Sequence, residues 1–428
     1  MNAASPIVAS EALPPAVPDC FPYGVKPEAT LRTSGEFIQA ARALVPILKA
    51  HAAEANRIRR PVNACVEAMV RAGLMGLLRP RMYGGAGLEL SDLFDVVSVL
   101  AEGCPSTGWD YVVWELHNWL MGGFEKQAQD EYFGVGDVLL ACGPNPAGPK
   151  SWVQARPVDG GYMLSGRWRF GSGSTHSNWA HLNGRIEGRE VDGQPELRAF
   201  AVPRSQYVVL DTWFLRGLRG TGSHDVSIEQ EIFVPEHRSL AHPSARDGSP
   251  RMTPGARLHS ETVAYRMPLA PPAHLAAAVS GIGATKAAIE AFKELTKKRV
   301  HHIGQKQIDR AASAIRLARA QCEVEAAELL FRATIREVEA EIRAGRNLTV
   351  ELRAKARMIS GFVPNLCKQS IMSLVEAGGA VVMVDDSPLS NAMLDISCIS
   401  AHGSTEYDLG TESYGRVLLG LEPSNNAI

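Results

Sequence analysis

His117 lies in Trp114-Glu-Leu-His117-Asn-Trp119, with Trp109 and Tyr111 just before it. An imidazole with an ordinary pKa near 6.5 can take or give a proton at neutral pH. So many aromatic rings around it suit an aromatic ligand. Ser172 sits between Gly171 and Gly173. Glycines on both sides of a hydroxyl permit close backbone approach to a planar ligand. His402 opens the run His402-Gly403-Ser404-Thr405.

Other spacings exclude chemistry. No G-x-G-x-x-G joins a strand to a helix, so no dinucleotide fingerprint is present. Gly281-Ile-Gly283 falls inside a helical pattern and reads as close helix packing. The segment 143–151, GPNPAGPKS, superficially resembles a phosphate loop. Its prolines remove the backbone N–H donors such a loop needs. No H-E-x-x-H occurs. His301 and His302 are adjacent, and on a helix they would point apart and stay solvated, so no metal site is expected. No G-x-S-x-G elbow is present.

The elements that must position these residues change in texture along the chain. Residues 1–33 carry six prolines and read as an extended arm, ordered only if it docks. Helices begin near Ser34. Phe37, Ala41, Leu44 and Leu48 recur at spacings of 4, 3 and 4, one helical face. The region 34–136 reads as a helical domain, with a turn at Tyr83-Gly84-Gly85. Residues 137–240 break into short runs punctuated by Gly, Pro, Asp and Ser, as in a β-barrel or sandwich. The polar segment 241–270 reads as a crossing loop that could close over a pocket. Residues 271–428 are helical again, with a tail. The stretch 307–344 lacks Pro and Gly, enough for one helix of about 55 Å. Thr349 can cap the next helix.

The chain has 428 residues, 45% hydrophobic, with formal net charge −2. That balance excludes a globally basic nucleic-acid binder. No run approaches 18 apolar residues, so no membrane span is expected. The seven cysteines are dispersed and none forms C-x-x-C, as in a reduced, cytoplasmic enzyme.

Several segments taken together resemble one family. They are Pro80-Arg-Met-Tyr83-Gly84-Gly85, Ser106-Thr-Gly-Trp109, and the run from Gly161 through Trp168-Arg-Phe170-Gly-Ser172-Gly173. Asp211-Thr-Trp213, Gly217-Leu-Arg-Gly220-Thr221-Gly222-Ser223 and Phe233-Val-Pro235 follow. The last are Glu376-Ala-Gly378-Gly379, Pro388-Leu389, Asp395, His402 and Tyr414-Gly415-Arg416. Their order resembles the acyl-CoA dehydrogenase fold, and within it the two-component flavin monooxygenases of the phenol and hydroxyphenylacetate hydroxylase type.

The resemblance implies an α+β architecture: an N-terminal helical domain, a middle β-barrel and a C-terminal four-helix bundle, usually a homotetramer. It implies reduced FMN or FAD between barrel and bundle, supplied by a separate flavin reductase, with O2 as co-substrate. The expected reaction is hydroxylation of a small phenolic or other aromatic substrate through a flavin C4a-hydroperoxide. On that basis His402 is expected as base or hydroperoxide partner, Ser172 near the flavin N5, and His117 in the substrate pocket. Phe170 would pack on the flavin ring, Asn145 would face it from the barrel rim, and Arg299 would hold its phosphate, in some members across a subunit boundary. Gly378 and Gly379 complete the expected cofactor contacts.

Many dehydrogenases of this fold carry a catalytic glutamate where this chain has Gly403, one residue after His402. Glycine cannot be a base. The chain also departs from the hydroxylases. Asn391 and Leu394 stand where those carry arginines. Alternatives therefore stay open: an N- or S-oxygenase of the same fold, a flavin-dependent dehydrogenase or oxidase, or a flavin-free scaffold.

Overall fold

The computed structural model describes residues 13–134, 138–146, 153–191, 193–242, 248–301 and 304–425, with only the backbone at Asn145 and Pro146. Five helices come first: α1 (Ser34–Ile58), α2 (Asn63–Arg71), α3 (Leu90–Gly103), α4 (Pro105–Met121) and α5 (Lys126–Phe133). α1 starts where Thr33 and Glu36 form a reciprocal capping box, a device that contributes about 1 kcal/mol. Phe37, Ala41, Leu44 and Leu48 form its buried stripe, as their spacing requires. Gly84 closes the expected turn at φ +84°.

Nine strands follow among the described residues: β1 (Ala141–Cys142), β2 (Asn145–Pro146), β3 (Gln154–Val158), β4 (Gly161–Gly171), β5 (Trp179–Val191), β6 (Gln194–Pro203), β7 (Val208–Leu210), β8 (His224–Pro235) and β9 (Ser239–Ala241). They form one sheet in the order β7-β8-β4-β3-β5-β6-β9, with β1 on β5 and β2 on β4. β7 and β9 do not pair with each other among the described residues, so hydrogen bonds do not close the expected barrel into a ring.

Alternation splits the strands cleanly between two faces. Ala180, Leu182, Ile186, Phe200 and Val202 fill the sheet's own core. Ala199, Ala201 and Trp179 pack outward on Met121, Phe124, Tyr132 and Phe133. The N-terminal arm docks on the open edge. Ala16 bridges Leu210, and Val17 N–H donates to the Val209 carbonyl. That pairing satisfies groups an edge strand would leave exposed.

Residues 241–270 are more than a crossing loop. They hold α6 (Pro254–Leu258) and a 3₁₀ turn at Val263–Arg266. Val263 and Ala264 donate their N–H groups to Glu89, and Tyr265 is fully buried. The described part of the segment is therefore packed onto the N-terminal domain and does not act as a free lid.

The C-terminal domain comprises α7 (Ala270–Lys298), α8 (Ala311–Arg343), α9 (Val350–Gly378), α10 (Pro388–Ser400) and α11 (Tyr407–Leu418). α9 packs against the other four, and Thr349 caps it as expected. α7 is apolar enough by length and composition to cross a membrane, but 78% of that window is buried inside the protein. A Cβ on Gly281 would meet Ile396 at 2.9 Å, and one on Gly283 would meet the Ser98 carbonyl at 2.4 Å. Those glycines are packing sites. α3 and α4 lie on α7, so one apolar core runs through both helical domains.

Candidate active site

The bulged end of β4 builds the centre of the site. Its register against β8 shifts between Trp168 and Gly171. Phe170 at this bulge has φ +65°, a conformation costly for a bulky side chain. The result is a ring lifted off the sheet and 56% exposed. Phe170 is thus no core residue; its edge contact is Trp213, 6.3 Å between centroids. Two residues on, Ser172 Oγ accepts the Trp109 indole N–H at 3.0 Å and lies 2.7 Å from Ser223 Oγ. The flanking glycines serve the protein itself. A Cβ on Gly173 would strike the Trp114 ring, and one on Gly171 would press the His224 carbonyl.

Two adjoining cavities meet here. One, about 260 Å³, is lined by Trp109, His117, Phe170, Ser172, His181 and His402 among others. The other, about 490 Å³, shares Trp109, Phe170, Ser172 and His402 and adds Trp213 and Ser223. Neither has an Asp or Glu in its described lining.

His117 and His402 have opposite hydrogen-bond polarity. His117 Nδ1 lies 2.6 Å from the Val113 carbonyl. A carbonyl only accepts, so Nδ1 carries the proton and Nε2 is a bare acceptor. That Nε2 presses on Gly143, where any Cβ would collide with it at 1.6 Å. Burial pushes the His117 pKa down to about 4. His402 Nδ1, by contrast, accepts the Ser404 N–H at 3.1 Å. The neutral ring must then carry its proton on Nε2. Burial, and then the Arg357 cation, hold its pKa below the ordinary value. Arg357 also shapes this turn, donating to the Gly403 and Ser404 carbonyls at 2.9 and 2.7 Å.

The pocket holds residues that motif reading missed. His181 and Asn183 project from β5 on the face opposite Ala180 and Leu182, and His242 follows β9. His242 Nε2 lies 2.7 Å from Asn183 Oδ1, and the His181 ring is 5.6 Å from His117 and 6.3 Å from His242. Burial holds all three histidines neutral. The alternation in Trp179-Ala-His181-Leu-Asn183 was the available signal. Behind them Arg251 lies 5.0 Å over the Trp119 ring. Its buried Nε and Nη1 have no hydrogen-bond partner among the described residues.

Three expected contacts fall elsewhere. Arg299 ends α7 and donates to the Gly378 carbonyl, and a Cβ on Gly379 would strike its guanidinium. These three form one group, but 22 residues of helix separate Arg299 from Ala277 at the cavity wall. That is about 33 Å at 1.5 Å per residue, so within one chain they do not join the site. The backbone of Asn145 pairs with Arg169, one residue before Phe170. His301 is in the α7–α8 connection, not on a helix, and contacts Gln307 and Arg310; His302 lies outside the described residues. So does most of the 143–151 segment. No cluster of three metal-ligating side chains occurs among the described residues.

Comparison with known proteins adds a family to this geometry. The acyl-CoA dehydrogenase N-terminal domain matches residues 34–131 and the C-terminal domain residues 275–407. The chain is 31% identical to the flavin-dependent monooxygenase oxygenase subunit HsaA of Rhodococcus jostii, over 90% of this chain and 98% of that one. It is 29% identical to the FADH2-dependent resorcinol hydroxylase oxygenase component of a Rhizobium species, over 88% and 92%. The structure of XiaF from Streptomyces in complex with FADH2 and glycerol superposes with a TM-score of 0.80 at 27% identity, covering 92% of this chain and 97% of that one. The order of the domains thus has its counterpart in a known lineage: the chain belongs to the acyl-CoA dehydrogenase family, in the branch of flavin-dependent monooxygenase oxygenase components.

Proposed function

We propose that the protein is the oxygenase component of a two-component flavin-dependent monooxygenase that hydroxylates a phenolic or other aromatic small molecule. A separate reductase supplies reduced FMN or FAD, and O2 is the co-substrate. The relatives named above, an oxygenase subunit and a resorcinol hydroxylase component, support this reading.

The residues present fit a flavin. The larger cavity lies between the sheet domain and α10, with Phe170 exposed to it and the Ser172 hydroxyl at its wall. When bound, reduced flavin supplies two electrons for O2 activation. One oxygen atom goes to substrate and the other leaves as water. Val112, Leu116, Ala273 and Ala277 give the adjoining cavity apolar walls, which disfavour water beside the reacting oxygen.

The observation that carries the assignment is the opposed polarity of the two histidines across one cavity. His402 Nε2–H is a donor that holds a developing negative oxygen. His117 Nε2 is an acceptor for a phenol O–H. With a pKa near 4 it holds that proton by hydrogen bonding. It takes the proton only as the ring gives up electron density to the incoming oxygen. The absence of a carboxylate from both described linings removes the base an α-proton abstraction needs, which disfavours the dehydrogenase alternative. Arg299 with Gly378 and Gly379 would meet a flavin phosphate only from a neighbouring copy, consistent with a homotetramer. All seven cysteines are free, as suits a reducing cytoplasm.

Rapid mixing tests the reading. Protein loaded anaerobically with reduced FMN or FAD is mixed with oxygenated buffer, with and without a panel of phenols. A lag before oxidised flavin appears, and hydroxylated product from at least one phenol, is the expected result. Oxidation at the rate of free flavin, with no binding in either redox state, overturns it.

A further inference from the structure

Ser172 is one end of a chain of hydroxyls buried between three domains. Its Oγ lies 2.7 Å from Ser223 Oγ, which lies 2.7 Å from Thr221 Oγ1. Thr221 Oγ1 is in turn 2.8 Å from the Leu218 carbonyl. Ser172, Ser223 and Thr221 are 7%, 4% and 0% exposed, so the links among them are shielded from bulk water.

The direction of this chain is determined, because each hydroxyl has one proton. The Leu218 carbonyl can only accept, so Thr221 donates to it. Thr221 must then accept from Ser223, and Ser223 must accept from Ser172. At the other end the Trp109 indole can only donate, and it donates to Ser172. Ser172 has therefore given its proton inward and received one on one lone pair. What it can offer the cavity is its second lone pair.

We infer that Ser223 and Thr221 are positioning residues that make Ser172 a pure acceptor, and that this polarity sets which redox state of flavin the site holds. The inference rests on the proposed function, with the flavin N5 edge against Ser172. Reduced flavin carries a proton on N5 and can donate to Ser172. Oxidised flavin has only a lone pair on N5, which meets the lone pair of Ser172 without a proton between them. The relay thus favours the incoming reduced cofactor and helps expel the spent one, which suits a protein that exchanges flavin with a reductase at each turnover. Cutting the relay at Ser223 frees the Ser172 proton to turn toward the cavity and donate to oxidised N5.

The test measures dissociation constants for oxidised and anaerobically reduced FMN and FAD, and the midpoint potential of the bound flavin, in wild type, Ser223→Ala, Thr221→Val and Ser223→Thr. Wild type is expected to bind reduced flavin at least tenfold more tightly than oxidised. Ser223→Ala and Thr221→Val should cut that ratio severalfold, mainly by tightening oxidised flavin. A tenfold loss of ratio moves the potential about 30 mV more negative for a two-electron couple. Ser223→Thr keeps the hydroxyl and should behave as wild type, which separates relay polarity from folding. Flavin binding in both states with an unchanged ratio and potential in Ser223→Ala overturns the relay and leaves the proposed function standing. No flavin binding by wild type overturns both.

Discussion

Asp395 Oδ1 accepts the backbone N–H of Leu218 at 2.6 Å, across 177 residues of chain. Asp395 is on α10, and Leu218, at φ +50°, begins the turn that carries Thr221 and Ser223. Its carbonyl also takes the Trp213 indole N–H at 3.0 Å. A Cβ on Gly217 would strike the Leu394 carbonyl at 2.1 Å. The C-terminal helices thus hold one end of the hydroxyl relay, and Trp109 of the N-terminal domain holds the other. Burial raises the Asp395 carboxyl to about 6, against the opposing Leu218 hydrogen bond.

That raised pKa has a defined consequence. The folded state holds the Asp395 proton more tightly than the unfolded chain does, so this group's stabilisation is complete below about pH 4 and is lost as pH rises through about 6. Asp395→Asn keeps an acceptor for Leu218 and removes the titration. Urea-unfolding midpoints for the variant should gain relative to wild type between pH 4 and 7. Asp395→Ala also removes the titration but leaves the Leu218 N–H buried and unpaired, so it should fall below Asp395→Asn by about 1–3 kcal/mol at every pH.

Phe170 carries strain that its position requires. Phe170→Gly relaxes the positive φ, and the variant should be about 1 kcal/mol more stable. It should also bind flavin more weakly, because the exposed ring is lost. Thermal unfolding and flavin titration check the two halves separately. A variant that is less stable would show that the Trp213 contact outweighs the backbone strain.

The helical parts of this chain were legible because period and caps are local. The start of α1 at Ser34, the Thr349 cap and the packing glycines Gly281 and Gly283 all follow from neighbours within a few residues. The β region was legible in outline only. Its two-residue strands and the arm's pairing with β7 depend on partners far away in sequence. The same limit applied to the site. Ser172, Phe170, His117 and His402 were found through the resemblance, and the structure brings them to one place. His181 and Asn183 carry only the alternation of β5 as a signal and His242 and Arg357 carry none; all four join the site only when β5, β9 and α9 are assembled. Arg299 shows the reverse case: it caps the far end of a 29-residue helix from the cavity, so the phosphate role the resemblance implies is open to it only toward a neighbouring copy.

Buried histidines weaken the fold as pH falls. Burial depresses His117, His224 and His242 to about 4 and His176 to about 3. Between those values and 6.5 the unfolded chain binds protons that the folded chain refuses. Their contribution is present above about pH 6.5 and is lost as pH falls toward 4, at up to about 1.4 kcal/mol per pH unit for each group. Buried carboxyls oppose this trend: burial raises Asp395 to about 6, Glu115 and Glu339 to about 7, and Asp110 well above its ordinary value. The two sets offset each other over this interval, so the histidine contribution is read from a variant that removes one of them. His242→Gln should gain in urea midpoint relative to wild type as pH falls from 6.5 toward 4.

The opposed histidines predict different lesions. His117→Ala removes the acceptor for the substrate proton, so product formation should fall about 100-fold or more, while oxygen consumption by the flavin-loaded protein continues. His402→Ala removes a donor to the reacting oxygen, so flavin should reoxidise sooner and release peroxide in place of product. The ratio of product to flavin oxidised, measured in one turnover, separates the two. The pH profile gives a further check on His117. A histidine held near 4 stays neutral down to about pH 5, so its titration should not reduce single-turnover product yield between pH 7 and 5. Gly143→Ala should resemble His117→Ala, because the added methyl occupies the position of Nε2 and must drive the ring from the cavity. Full coupling in Gly143→Ala would mean that the ring can move aside and still accept the proton, and would remove the fixed geometry on which its role as acceptor depends.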